Sequence, residues 1–341
     1  MALITLSNGK SFEAGAQEPL LPAALRAGLA VAHSCRNGRC GSCKAQLVQG
    51  DTQTLLPEAA LSPAEQAAGW LLTCARTASS DLQLQLDLHD GPPLPAVRTV
   101  PSRIDGLQRL APDVLQVLLR LPPQQAFGFL PGQHLDVIGP GGVRRAYSIA
   151  NAPRADGRLE LQVRRVPGGA LSTWWFEQAQ VNDLVRLHGP QGSLVMGDLA
   201  GRPLWLLATG TGIAPVKAWL EQLAGLPAEA WPASVHLWWG GRVPRDLYWD
   251  PLRLELPAPF GFTPVLSRAP AGWDGARGHV QAAALAHGAA QAQARGQPLD
   301  LSRHQVVACG SPAMVDSARS LLLAAGLPAR QFQADPFVCS A

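Results

Sequence analysis

The chain has 341 residues, 47% of them hydrophobic and 16% charged, with a formal net charge of +3. This length implies two or three domains, since one core stops growing at about 250 to 300 residues, and the composition excludes a disordered chain. The small, dispersed charge excludes a nucleic-acid binder. Met1 leads into no signal peptide, and no apolar run of about 18 residues could span a membrane. The expected setting is the cytoplasm, with no membrane or nucleic-acid partner, where clustered cysteines more often hold metal than form disulfides.

In chain order, "ALITLSNGKSFE" alternates as a strand, a turn and a second strand. "HSCRNGRCGSCKAQ" then places Cys35, Cys40 and Cys43 in a C-x4-C-x2-C pattern, and Cys74 follows after thirty intervening residues. This is the plant-type [2Fe-2S] spacing. A cluster needs a loop whose backbone N–H groups turn toward the sulfurs, and Gly38 and Gly41 permit the tight conformations this takes. Structural zinc would call for paired C-x2-C knuckles, and only one short pair is present. "LSPAEQAAGW" reads as a short helix with Ser62 as N-cap, Pro63 in first position and Glu65 closing a capping box. Arg36, Arg39 and Lys44, with no acidic residue between them, predict a basic exit for electrons toward an acidic partner. Residues 1–88 are expected to form a plant-type ferredoxin domain. The proline- and glycine-rich stretch 89–100 is expected to be a linker.

Over residues 101–198 the apolar period is two, in "DVLQVLLRL", "HLDVIG" and "LELQVRRV", which predicts an antiparallel barrel. "RRAYSIAN" lies within it, and on a strand Arg145 and Tyr147 share one face while Ser148 takes the other. "PGGALST" places Gly168 and Gly169 before a helix whose first turn is Ala170, Leu171 and Ser172, and a helix N-terminus is an anion site. Trp174 and Trp175 read as packing residues. From residue 199 to 341, strands such as "PLWLLATGTG", "SVHLWWGG", "FTPVLSR" and "QVVACGS" alternate with helices such as "IAPVKAWLEQLAG" and "AMVDSARSLLLAAG", which predicts a doubly wound parallel sheet. The alanine-rich "AAALAHGAAQAQARGQ" reads as a surface helix and loop. Gly210, Thr211 and Gly212, Arg242, Ser267 and Arg268, and Cys309 and Gly310 all fall at the carboxyl ends of predicted strands, where open parallel sheets bind ligands.

These motifs together resemble the ferredoxin-NADP reductase superfamily. "RAYS" and "PGGALST" match its flavin motifs, and "GTGIAP" and "CGSPAM" its nicotinamide motifs. The order of domains is similar to that of the single-chain reductase components of bacterial ring-hydroxylating and related oxygenases. It is similar also to the reductases of CDP-3,6-dideoxyhexose synthesis (CDP-6-deoxy-glucoseen reductase), which share "HSC", "ACGSP" and a C-terminal Asp-x-Phe. The resemblance implies a multidomain α+β and α/β chain: a β-grasp-like ferredoxin, an antiparallel β-barrel for FAD and a doubly wound NAD(P) domain. It implies that Cys35, Cys40, Cys43 and Cys74 hold a [2Fe-2S] cluster. Arg145 and the turn from Gly168 to Ser172 would hold the FAD pyrophosphate, Ala146 and Tyr147 would lie along the isoalloxazine, and Ser148 would bond near its reactive nitrogen. Cys309, with Gly310 and Met314, would sit beside the nicotinamide of NADH or NADPH, and Phe337 would cover the flavin. Ser148, Cys309 and Phe337 are thus the residues expected at the chemistry. Arg242 and Arg268 could grip either a 2′-phosphate or the pyrophosphate. The implied activity is NAD(P)H oxidation with single electrons passed to a protein acceptor, a terminal oxygenase or, as the alternative, an iron-sulfur dehydratase. A redox sensor would need no such complete nicotinamide site. The sequence assigns no role to Cys339.

Overall fold

The computed structural model describes residues 1–86, 88, 92–123, 127–257 and 259–337, and Cys339 lies outside them. The chain divides into two compact units, one of residues 1–94 with 192–194, the other of 95–191 with 195–341.

The first unit contains β1 (Ala2–Leu6), β2 (Ser11–Ala14), α1 (Leu20–Arg26), β3 (Lys44–Gln49), β4 (Thr52–Thr54), α2 (Pro63–Ala67), β5 (Trp70–Leu72), β6 (Arg76–Ala78) and β7 (Leu82–Gln85). A mixed sheet runs in the order β2-β1-β7-β3-β5, with β1 and β7 parallel, and β4 pairs with β6. Strand alternation puts Ile4, Leu6, Phe12, Leu82 and Leu84 into one core with Leu20 and Leu21 of α1. The helix α2 is built as its sequence implies: the Ser62 hydroxyl accepts from the Glu65 N–H, and the Glu65 carboxylate accepts from the Ser62 N–H. Glu58 is almost fully buried. Its carboxylate accepts from the Leu72 N–H at 2.7 Å and from Arg76 Nε and a terminal nitrogen at 3.0 and 2.7 Å. Residues 192–194 complete the unit: Ser193 Oγ accepts from the His33 N–H at 2.8 Å, and the Ser193 N–H donates to the His33 carbonyl at 3.1 Å.

The second unit starts with β8 (Arg98–Ala111), β9 (Val114–Arg120), β10 (His134–Ile138), β11 (Arg144–Ser148), β12 (Leu159–Arg164), α3 (Ala170–Glu177) and β13 (Leu184–Gln191). These strands form an antiparallel sheet in the order β11-β10-β13-β8-β9-β12, and an Ile149–Leu161 bridge joins its two ends. The strand β8 begins inside the stretch expected as linker, because Arg98, Thr99 and Val100 pair with Gly189, His188 and Leu187. The remainder is β14 (Pro203–Thr209), α4 (Ile213–Ala224), β15 (Ser234–Gly241), β16 (Phe260–Leu266), β17 (Ala276–Arg277), α5 (Val280–Ala294), β18 (Gln305–Gly310), α6 (Pro312–Ala324) and β19 (Phe332–Pro336). Its strands are all parallel, in the order β17-β16-β15-β14-β18-β19. The order reverses between β14 and β18, which opens a crevice beyond their carboxyl ends. The alanine-rich segment is a surface helix and loop as read, with only Ala284 and Gly288 of its sixteen residues buried. As α5 it is a crossover helix with Val280 and Ala284 in the core beside Trp205 and Trp238, and a Cβ on Gly288 would meet the Trp205 ring at 2.6 Å.

Glu58→Ala should strand the Arg76 charge and the Leu72 N–H in the first unit, at a cost of about 3 to 5 kcal/mol. Hydrogen exchange should therefore accelerate roughly a hundredfold or more in β3, β5 and β7, with β14 and β18 unchanged. Exchange at the parental rate in β5 would show that Glu58 contributes nothing.

Candidate functional site

The cysteine loop follows α1 and ends at β3. Cys35 and Cys40 face each other: the Cys35 N–H points at Cys40 Sγ at 3.4 Å and the Cys40 N–H at Cys35 Sγ at 3.3 Å. Cys40 and the N–H groups of Asn37, Arg39 and Cys40 draw the Cys35 thiol below its ordinary range, against the upward push of burial. Cys43 and Cys74 form a second pair, in which Cys74 draws Cys43 down, and the Gly38 N–H reaches Cys74. Two pairs of sulfurs with amides aimed at them fit two irons held pairwise. Among the described residues no three His, Cys, Asp or Glu side chains are arranged to hold a single metal ion. Gly38 has a φ of 78° and a Cβ there would stand 2.1 Å from the Pro57 carbonyl oxygen.

The basic exit is weaker than its sequence suggests. Lys44 is paired with Glu65 at 2.6 Å, and this ammonium, with the Ser62 N–H, holds the Glu65 carboxyl down at about 2. Arg36 bonds the ring of buried His33 at 3.0 Å. A carboxylate 21 residues away thus engages Lys44, and a ring three residues back engages Arg36.

The flavin motif lies on β11 against β10, with Arg145 opposite Val137, Ala146 opposite Asp136, Tyr147 opposite Leu135 and Ser148 opposite His134. Arg145 and Tyr147 are half-buried on one face, Ala146 is exposed and Ser148 is buried on the other. Burial pushes the Tyr147 phenol up to about 12. The neighbouring Arg144 is committed to Asp136. A groove lined by Pro140, Val143, Gly168, Ala170, Leu171 and Trp174 runs past the N-terminus of α3. Gly168 has a φ of 72°, and Gly169 caps the helix with no side-chain bond. This is a cradle for an anion. Ser172 and Leu171 support it from behind: the Ser172 hydroxyl accepts from the Val166 N–H at 3.1 Å, and Leu171 is core. Trp175 is core as expected, whereas Trp174 lines the groove.

At the edge of the parallel sheet, Gly210 to Gly212 form a 3-10 turn between β14 and α4. A Cβ on Gly212 would stand 2.2 Å from the Cys309 carbonyl oxygen, and one on Gly310 2.1 Å from Thr209 Oγ1. The Phe337 N–H donates to the Gly310 carbonyl at 2.7 Å. The structure therefore gathers Gly210, Thr211, Gly212, Cys309, Gly310 and Phe337 at one crevice. The Cys309 thiol is fully buried, and burial together with Asp335 pushes it well above its ordinary range. Met314 packs in the core, and its N–H is capped by Ser311. Ser267 and Arg268 are exposed, and their N–H groups donate to the carbonyls of Gly241 and Arg242.

Sequence reading missed the residues that join the antiparallel and parallel sheets within this unit. Arg164 on β12 lies against Gly210, so that a Cβ there would meet its guanidinium at 2.6 Å. Asp113 pairs with Arg164 at 3.3 Å and with Arg242 at 3.7 Å, and Arg242 is held a second time by Asp246 at 3.1 Å. The Tyr248 hydroxyl donates to Gln162 at 2.9 Å, and the Trp219 indole to the Pro131 carbonyl at 3.0 Å. No periodicity encodes such pairs. The one visible signal is Lys217, a charge inside an apolar helix.

Three domain families match the sequence: the 2Fe-2S iron-sulfur cluster binding domain over residues 4–79, the oxidoreductase FAD-binding domain over 102–196 and the oxidoreductase NAD-binding domain over 206–320. Joined in one chain, they define an iron-sulfur flavoprotein oxidoreductase that uses NAD(P)H. The chain belongs to the family of single-chain reductases that pass electrons from NAD(P)H through FAD and a [2Fe-2S] cluster to a protein acceptor. It is 34% identical to the CDP-6-deoxy-L-threo-D-glycero-4-hexulose-3-dehydrase reductase of Yersinia pestis, over 98% of this chain and 97% of that protein. It is 33% identical to the propane 2-monooxygenase reductase component of Rhodococcus jostii, over 96% and 89% respectively. Among solved structures, the Amycolatopsis cytochrome P450 reductase GcoB aligns with a TM-score of 0.75 at 30% identity, over 99% of both chains. The ferredoxin reductase in carbazole 1,9a-dioxygenase aligns with a TM-score of 0.69 at 26% identity, over 99% and 98%.

Gly38→Ala should abolish cluster incorporation, read as loss of bound iron, because its Cβ collides with backbone that cannot retreat. Gly41→Ala meets nothing nearer than side-chain atoms at 3.4 Å, and should keep its iron at a cost of about 1 to 2 kcal/mol for the left-handed backbone. Equal iron content in the two variants would contradict the loop geometry.

Proposed function

We propose that the chain is the reductase component of a terminal oxygenase, working in the cytoplasm, and that its domains fall at 1–88, 101–198 and 199–341 as β-grasp-like, β-barrel and doubly wound folds. The observation that carries the electron-transfer reading is the crevice where the strand order reverses, which lies within the same unit as the RAYS strand and touches the antiparallel sheet at β12 through Gly210 and Arg164. Relatives that serve oxygenases support the choice of acceptor, among them the reductase component 1 of terephthalate 1,2-dioxygenase from Comamonas, 32% identical over 97% of this chain. The second reading, reduction of a CDP-hexulose dehydrase, is supported by the 34% identity to the Yersinia reductase.

When bound, FAD accepts two electrons as a hydride and releases them singly to the cluster. The chain's own residues bind and orient. Cys35 with Cys40 and Cys43 with Cys74 would each hold one iron. Arg145 and the N-terminal N–H groups of α3 would take the FAD pyrophosphate, and Tyr147 and Ser148 would flank the ring. The loop at Gly210 and the Cys309–Gly310 turn would admit the nicotinamide, with the Cys309 thiol remaining protonated. Phe337 would cover the flavin face. Arg242 is already paired twice, so Arg268 is left as the exposed cation for a 2′-phosphate.

Mixing the reduced protein with an oxygenase component and, separately, with a CDP-hexulose dehydrase tests the acceptor. Fast reoxidation of the cluster is expected with the oxygenase, and fast reoxidation by the dehydrase alone would establish the second reading. Arg268→Ala should lower efficiency with NADPH tenfold or more and leave NADH little changed, since a charge-assisted bond is worth about 1.5 to 3 kcal/mol. Equal losses with the two coenzymes would assign Arg268 to the pyrophosphate.

A further inference from the structure

Lys217 lies on the buried side of α4, the helix that starts from the Gly210–Gly212 turn, and its side chain is 9% exposed. Its ammonium donates to the Ala150 carbonyl at 3.0 Å, to Glu160 Oε2 at 3.0 Å and to Glu221 Oε1 at 2.6 Å. An ammonium has three hydrogens, so its capacity is filled. Arg154 bridges the same two carboxylates at 3.3 and 3.0 Å. The loop after β11 is bound into the cluster through its backbone: the Ala150 N–H donates to the Glu160 carbonyl at 2.7 Å, and the Ala152 N–H to Glu221 Oε2 at 3.0 Å. Two cations thus balance two carboxylates.

The position of this cluster gives it a second consequence. Ala150 lies two residues past Ser148, and Lys217 five past Gly212. The ammonium is therefore a short bridge between the strand end that faces the flavin and the turn that admits the coenzyme. Hydride transfer requires its two carbons at about 3 to 3.5 Å, and a displacement of about 1 Å can cost a hundredfold. Trp219, on the same helix, makes only a single indole bond to Pro131, which resists sliding less than a three-acceptor charged clamp.

We propose that Lys217 is a positioning residue for hydride transfer, fixing Ala150 and the strand end at Ser148 relative to the start of α4 through Glu160 and Glu221. The inference rests on the reading of Ser148 and Gly210–Gly212 as flavin and nicotinamide sites.

The test uses the full chain carrying FAD and the cluster. Lys217→Met leaves carboxylate charge short of a partner, so it is paired with Lys217→Met/Glu160→Gln, in which Arg154 and Glu221 still balance. Single-turnover reduction of the flavin by NADH should fall tenfold or more in the double variant, while NAD+ binds with unchanged affinity. Amide hydrogen exchange should rise at 149–153 and in the first turns of α4, and stay unchanged in β18. A parental reduction rate in the double variant would overturn the proposal, whether or not exchange rises, because Lys217 would then only neutralise Glu160. If the Lys217 variants do not fold, Arg154→Gln, at a side chain 35% exposed, should give both changes at smaller size, and parental values would overturn the proposal. Ser148→Ala separates the underlying reading: a parental reduction rate there would remove the flavin assignment, and the clamp's role with it, whatever Lys217 does.

Discussion

The site depends on one close approach, that of Gly212 to the Cys309 carbonyl. The strands β14 and β18 are parallel neighbours, and where they end the two chains turn into each other: the place of a Gly212 side chain is filled by backbone of β18, and that of a Gly310 side chain by Thr209. No side chain intervenes, so the N–H groups that begin α4 and α6 can border one crevice. The same crowding seals the Cys309 thiol in the interior, where burial keeps it protonated. A chain that leaves electron chemistry to its cofactors needs such fixed walls more than it needs reactive groups.

Charge is handled in the same spirit. Arg242 and Arg164 share Asp113, Arg76 is sunk against Glu58, Lys44 is held by Glu65, and Lys217 with Arg154 closes on Glu160 and Glu221. These six cations are thus committed within the fold. An ion pair at a surface is worth little to stability, and its geometry is the greater part of its effect. At Asp113 that geometry is a tie between a barrel turn and the coenzyme edge of the parallel sheet.

The parts legible in the sequence are those encoded locally. The cysteine spacing, the capping box of Ser62 and Glu65, and the period-two runs of β9, β10 and β12 depend on residues a few positions apart, and the structure returns them where the sequence puts them. The parts that were not legible depend on contacts across long separations. Glu65 lies 21 residues from Lys44 and Glu160 lies 57 from Lys217, and nothing in a window of either sequence predicts the meeting. The helix α5 was legible as a surface helix, whereas the seating of Ala284 in the core and of Gly288 against the Trp205 ring depends on residues far away in the chain.

The three residues 192–194 carry a consequence for how the protein is made. They belong to the unit whose other residues end at 94, and Ser193 satisfies the backbone of His33, two positions before the first cysteine. On a ribosome adding about 5 to 20 residues per second, the 98 residues from 94 to 192 take roughly 5 to 20 s. For most of that interval the His33 segment is out of the exit tunnel without the Ser193 contacts that hold it, and an N-terminal fragment cut at residue 94 would leave the His33 N–H without its seat.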